Sequence, residues 1–171
     1  MKSKFRILAW ASGLLSLLLF SCVGKFDTVY PATVAIIIDE KSGDCVSADL
    51  IGQGQVYIPY GRKLVSYSLY EDTLSLKGNA ISNDGFNLKY KCTLIYKLQK
   101  SKIIKLYDEY GISYSEVFLE PELKLQIRNF SSKNKFEDLS IVPSSILYSI
   151  VNEFLEQEYF ILVDFEVEYF D

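Results

Sequence analysis

Residues Phe86–Leu98 read FNLKYKCTLIYKL. Phe86, Leu88, Tyr90, Cys92, Leu94, Tyr96 and Leu98 fall on one side of this run, and Asn87, Lys89, Lys91, Thr93 and Lys97 on the other. Ile95 is the single exception. Side chains of a strand alternate between faces, so a period of two predicts a strand with one buried and one wet face. Asn83-Asp84-Gly85, just upstream, is a hairpin-turn signal.

Towards the N-terminus the pattern remains that of short strands. Thr73–Leu76 and Arg62–Tyr70 read as strands. Gln55–Ile58 reads as another, bounded by Gly52 and Gly54 before it and Pro59 after it. Thr33–Ile38 (TVAIII) is a β-branched run followed by the turn residues Lys41-Ser42-Gly43-Asp44. Cys45–Leu50 is expected to return as the second strand of that hairpin. Val23–Tyr30 is expected to be a tether, ended by Pro31.

Beyond Leu98 the period changes. Ser101–Tyr110 places Ile103, Ile104, Tyr107 and Tyr110 on one helical face, with Gly111 as C-cap. Ser113-Tyr114-Ser115-Glu116 fits a capping box. Pro121 suits the first turn of a helix striped by Leu123, Ile127 and Phe130. Ser131–Lys135 is expected to be a polar loop. Pro143 suits the start of a last helix, with Ile146, Leu147, Ile150, Val151, Phe154 and Leu155 as its apolar face. Val163, Phe165, Val167 and Tyr169 then alternate with Asp164, Glu166 and Glu168, a closing strand with an acidic outer face. Antiparallel sheet in the first half, packed helices in the second half and a closing β-strand make an α+β pattern.

Ahead of all this, Ile7–Cys22 reads ILAWASGLLSLLLFSC and follows Lys2, Lys4 and Arg6 with no acid between them. A basic segment before an apolar one is a secretory signal. Its apolar part, about 14 residues, is shorter than the roughly 20 a spanning helix needs. Leu19-Phe20-Ser21-Cys22 resembles the lipobox of bacterial lipoproteins, although Phe20 is bulkier than usual. The resemblance implies cleavage after Ser21 and lipidation of Cys22, through a diacylglyceryl thioether and palmitate-type acylation. The competing readings are an uncleaved N-terminal anchor or a signal cut elsewhere. The expected plan is therefore 1–21 signal peptide, 22–30 lipidated tether and 31–171 folded domain. The implied address is a bacterial cell envelope, on the periplasmic or extracellular side of a membrane.

Removing 21 of 171 residues leaves 150, enough for one domain with a real core. The signal carries three cations and no acid, so cleavage moves the formal charge from −4 to −7. Such an acidic domain is a poor nucleic-acid partner. The chain has no histidine, which removes the commonest general base and the commonest transition-metal ligand. No metal or cofactor is expected. Cys45 and Cys92 could pair in an oxidising compartment. Cys92 lies on the apolar face of its strand, which favours two separate thiols.

Ser144-Ser145 and the tyrosines supply hydroxyls without a histidine partner; composition leaves a serine–lysine dyad open, but there is no nucleophile elbow. Glu120 and Glu122, or Asp164, Glu166 and Glu168, could do acid–base work; a solvated face is the better reading. Asp39-Glu40-Lys41-Ser42-Gly43-Asp44 lacks the rest of a calcium loop and reads as a turn. Tyr57, Tyr60, Tyr67 and Tyr70 could form a carbohydrate- or membrane-contacting patch, against half-buried strand positions as the commoner alternative.

The ordered series resembles the SPFH or band 7 domain of stomatins, prohibitins and flotillins. Val34-Ala35-Ile36 resembles the opening strand of that family. Gly54–Pro59 resembles its glycine-aromatic-proline segment, one residue short in spacing, and Asp84-Gly85 its turn before the long strand. Leu106-Tyr107, Gly111, Tyr114, Pro121 and Arg128 fall in the family's order along the helices. Phe136–Leu139 resembles its short helix and Val163–Val167 its last strand. The likeness runs from about Tyr30 to Asp171. It implies a non-catalytic membrane scaffold that recruits or organises membrane proteins, with an integral membrane protein or envelope protease as partner. Family members also use a hydrophobic N-terminal anchor, where a lipid is implied here, and run on into a long coiled coil. This sequence ends at Asp171, so a homo-oligomer would use the domain's own faces or sheet edge. The rival expectation is a surface lipoprotein that binds a host molecule or small ligand.

Overall fold

The computed structural model describes residues 24–141, 144–157 and 159–170. Residues 1–23, with the expected signal and Cys22, and Pro143 lie outside the described residues.

The alternating run forms the strand β6 (Asn87–Leu98). Leu88, Tyr90, Cys92, Leu94, Tyr96 and Leu98 are all buried, and the lysines between them face out. Phe86, expected to point inward, lies before the strand and is half exposed, its ring 5.5 Å from that of Phe136. The turn diverts it: Phe86 N–H donates to Ser82 Oγ at 3.0 Å, and Ser82 N–H donates to Phe86 O at 3.0 Å. Strand β5 (Asp72–Ile81) pairs antiparallel on one side of β6 and strand β7 (Phe160–Phe170) on the other. β5 is longer than the Thr73–Leu76 expected from its apolar residues. Its polar second half is carried by pairing with Asn87–Lys91.

β7 departs from simple alternation. Ile95 pairs with Asp164 but Tyr96 with Leu162, so Val163 is skipped. This β-bulge reverses the inward phase. Phe160 and Leu162 are buried before it, Phe165 is buried after it, and Val163, expected inward, is 38% exposed.

The first half holds two ribbons. Strand β1 (Lys25–Val29) pairs antiparallel with β3 (Gly54–Ile58), and β2 (Thr33–Asp39) with β4 (Arg62–Ser68). Two expectations are corrected here. Lys25–Val29, read as tether, is a strand that buries Val29. Cys45–Leu50 does not return as a strand; only isolated bridges form, Ile38 with Cys45 and Ala35 with Ile51. Between those bridges β2 advances three residues and the returning chain six, so no regular ladder fits, and the Ser47 Oγ accepts from Ile37 N–H at 3.2 Å instead.

A 3-10 turn (Lys100–Lys102) leads into helix α1 (Ile103–Tyr110). α1 buries Leu106 together with Ile103 and Tyr107. Gly111 caps it at φ 68°, donating its N–H to Tyr107 O at 2.7 Å. A π-helical turn (Ser115–Leu119) then runs into α2 (Glu120–Lys133). The capping box does not form. No side-chain cap is made there; backbone N–H groups of Glu116 and Val117 donate to Ser113 O instead.

Leu123, Ile127 and Phe130 are buried as the stripe predicts. Ser131, expected in a loop, is helical and fully buried. Its hydroxyl donates to Ile127 O at 2.8 Å and lies 3.1 Å from the Tyr169 hydroxyl. Helix α3 (Phe136–Ile141) and helix α4 (Ser144–Gln157) follow. Only Leu147, Val151 and Leu155 of the predicted α4 face are fully buried, while Ile146 and Ile150 are exposed. α2 lies against β5 and α4 against β7. Val34, Ile36, Ile38, Val65 and Tyr67 of the β2–β4 ribbon join the same core.

Tyr90 lies directly over Gly78, where an added Cβ would meet its hydroxyl oxygen at 2.5 Å and its ring carbon at 2.6 Å. Gly78→Ala is therefore expected to cost about 1–3 kcal/mol through overpacking. Ser75→Ala, on the wet face, should stay within about 0.5 kcal/mol. Urea unfolding of both variants measures the difference.

Candidate functional site

The N-terminal end of the β1–β3 ribbon gathers the most unusual surface. Lys25 lies opposite Ile58, and Phe26 opposite Tyr57, with ring centroids 5.4 Å apart. Gly24 N–H donates to the Tyr57 hydroxyl at 3.1 Å. A Cβ on Gly24 would sit 2.0 Å from Ile58 O, so the chain can approach β3 this closely only as glycine. Gly61, at φ 75°, helps turn the chain into β4, and Arg62 N–H donates to Pro59 O. Tyr60 at this turn is 78% exposed and Phe26 is 73% exposed. A cavity of about 220 Å³ opens here between Lys25, Glu40, Tyr60 and Arg62.

Beside it, Asp39 accepts from Lys41 and Ser42 N–H groups at 2.9 and 3.1 Å. Those two bonds, and then the Arg62 charge, hold its carboxyl below the usual carboxylate range. This is the turn that the sequence predicts at Asp39–Asp44. The Tyr107 hydroxyl fastens it to α1 by donating to Gly43 O at 2.6 Å.

The four tyrosines, weighed as a patch against the commoner half-buried strand positions, do not come together. Tyr57 and Tyr60 share the ribbon end, whereas Tyr70 follows the far end of β4, roughly 20 Å of strand away. Tyr67 is buried, and burial pushes its pKa above the ordinary value. Phe26, missed because it fell in the supposed tether, completes the exposed group; its place two residues from Gly24 was the available signal.

The paired acids are occupied locally. Glu120 bonds Lys124 Nζ at 2.5 Å and Glu122 accepts from Gln126 Nε2 at 2.9 Å, both pairs of the i,i+4 kind that line helix surfaces. Glu168 lies across from Lys91 and Glu166 across from Thr93 on the wet face of the sheet. The side chains of Ser144 and Ser145 lie outside the described residues. Among the described residues no group of three or more His, Cys, Asp or Glu side chains is placed to hold a metal. Cys45 and Cys92 are both free. Burial pushes the Cys92 thiol up to about 12, so it stays a neutral core group. Among the described residues the hydroxyls of Tyr67 and Tyr90 are buried without a hydrogen-bond partner.

An open cleft of about 980 Å³ lies between Asp49 and Leu50 on one side and Gln99, Lys100, Ile104 and Ile161 on the other. Among the described residues no helix is long and apolar enough to cross a membrane.

Residues 28–167 match the family model described as SPFH domain / Band 7 family. No curated protein matches the chain.

The match includes the Asp84-Gly85 turn, whose carboxylate has a structural task. Asp84 accepts from Ser82 Oγ at 2.5 Å and from Phe136 N–H at 3.2 Å, tying the β5–β6 hairpin to α3. The Ser82 bond, and then the Phe136 N–H, hold its pKa below the ordinary 3.8. A carboxyl depressed by folding stabilises the fold above its ordinary pKa, and that share is lost as pH falls through the lowered value. Stability is therefore expected to fall below about pH 4. Asp84→Asn should lower the melting temperature near neutrality and flatten the acid decline, as thermal melts across the pH range would record.

Proposed function

The chain belongs to the SPFH domain / Band 7 family, and from that membership we propose that it is a lipid-anchored, non-catalytic scaffold of a bacterial cell envelope. The family is of membrane-associated scaffold type, and its members associate with membranes and oligomerise. For this chain the finer reading has Cys22 carrying the lipid and holding the domain on the periplasmic or extracellular face. There the domain recruits an integral membrane protein or an envelope protease, or further copies of itself. Its contribution is position: binding to a surface raises the local concentration of whatever the domain meets there.

The observation that carries this reading is the spacing between the expected acylation site and the fold. A signal with a lipobox-like end stops at Cys22, and from Gly24 onward the chain is already packed on β3. Several acyl chains on one residue satisfy the two-signal requirement for stable anchoring.

A second reading, a surface lipoprotein that binds a small ligand, draws on the open cleft beside Lys100, whose volume is in the range of ligand sites. Both readings share the anchor and differ in what the domain holds.

Expressed with its signal in a bacterial host, the chain is expected to take up labelled palmitate and to fractionate with membranes. Cys22→Ser should lose the label. Intact mass showing an unmodified Met1 on the membrane-bound chain would overturn the anchor. In-cell crosslinking that recovers an integral membrane protein favours the scaffold, and recovery of only a small ligand favours the second reading.

A further inference from the structure

We propose that the end of the β1–β3 ribbon docks into the headgroup layer of the bilayer that anchors the chain, with Phe26 and Tyr60 as its inserted side chains. This rests on the anchor reading above and deepens it: the domain would be oriented on the membrane as well as tethered to it.

Three observations converge. The first is reach. Only Val23 separates Cys22 from Gly24, and two residues span at most about 7 Å. Gly24 is itself fixed, by its bond to the Tyr57 hydroxyl and by its close approach to Ile58 O. A lipid on Cys22 would therefore hold this end of the ribbon within a headgroup's thickness of the acyl chains.

The second is composition. Tyr60 and Phe26, at 78% and 73%, are the two most exposed large hydrophobic side chains among the described residues, and both belong to this end. A tyrosine ring, with its one polar edge, settles at the boundary between headgroups and acyl chains, and a wholly apolar phenylalanine ring is buried just beneath it. The Phe26 ring lies against Tyr57, so the two present one surface.

The third is charge. Lys25, Glu40 and Arg62 share the cavity at this end, Asp27 follows on β1, and Lys41, Asp44 and Lys63 belong to the adjoining turn and strand of Asp39, so four cations balance four acids here. The acid excess of the mature chain therefore lies elsewhere. Repulsion from anionic lipid turns the rest of the domain outward and leaves this end the least opposed. The Lys25–Arg62 cavity, with Glu40 on its rim, offers two cations to lipid phosphate.

The lone tryptophan, Trp10, lies in the signal, so the mature chain has none. Tyr60→Trp and Phe26→Trp each install a single reporter at the proposed contact, and Tyr70→Trp installs one at the opposite end of β4. The three acylated chains are reconstituted into phosphatidylcholine–phosphatidylglycerol vesicles with and without lipid brominated on its acyl chains. Circular dichroism checks their fold.

Docking predicts a blue shift and loss of emission on brominated lipid for Tyr60→Trp and Phe26→Trp, with Tyr70→Trp unchanged. Two reporters at the contact guard against one failing to fold. If the chains float with the vesicles but all three reporters respond alike, or none does, the docking is overturned and the anchor stands. If the purified chains are not acylated and do not float, the anchor falls and the docking with it.

Discussion

Most of the core depends on the inward row of β6. Among the described residues it is the one strand of its sheet with a neighbour on each side, and its apolar face is unbroken from Leu88 to Leu98. That face has to be covered, and the helices cover it, α2 from the β5 side and α4 from the β7 side. Burying one such side chain is worth about 1.5–3 kcal/mol, so the row as a whole outweighs any single polar contact in the molecule. The polar groups inside are accommodated unequally: among the described residues the Tyr67 and Tyr90 hydroxyls are buried without a partner, whereas Ser131 is satisfied. The Ser131 hydroxyl, buried in α2, bonds back to its own helix and also reaches Tyr169 on β7, linking helix and sheet without leaving a donor bare.

What was legible from the residues follows from the same physics. β6 could be read residue by residue because one wet face and one dry face leave a period of two along the chain. The stripe of α2 and the Gly111 cap were readable for the corresponding reason in a helix. The bulge at Val163 was not, because skipping one residue is decided by the partner strand and leaves no local mark. Cys45–Leu50 has the composition of a strand, but between its two bridges it spends six residues against three of β2, so it bulges out of register and Ser47 bonds at Ile37 in place of a ladder. Lys25–Val29 looked like a tether because an edge strand with one buried residue carries almost no pattern. Of the exposed aromatic group, Tyr57 and Tyr60 were visible. Phe26 was hidden by that same misreading, and Tyr67 and Tyr70 were separated by the geometry of β4.

The two ribbons are tied to the rest unequally. β2–β4 contributes Val34, Ile36, Ile38, Val65 and Tyr67 to the main core, and the Tyr107 bond to Gly43 pins its turn to α1. β1–β3 buries Val29 and Ile58, and neither belongs to that core. A segment with few buried apolar contacts sits at the low-stability end of a fold. Its exposed rings therefore do little for folding, which frees them for a surface role.

The same reasoning bears on self-association through the sheet edge. β7 is terminal in its sheet, and among the described residues no strand pairs with its outer side. Two copies of β7 pairing antiparallel about Phe165 would place Asp164 of one opposite Glu166 of the other, with Glu168 close behind. Like charges directly across a ladder are destabilising. The acidic row on β7 thus acts as an edge guard of the kind that keeps sheets from joining. Assembly of this chain through paired β7 edges is thereby disfavoured relative to its other surfaces.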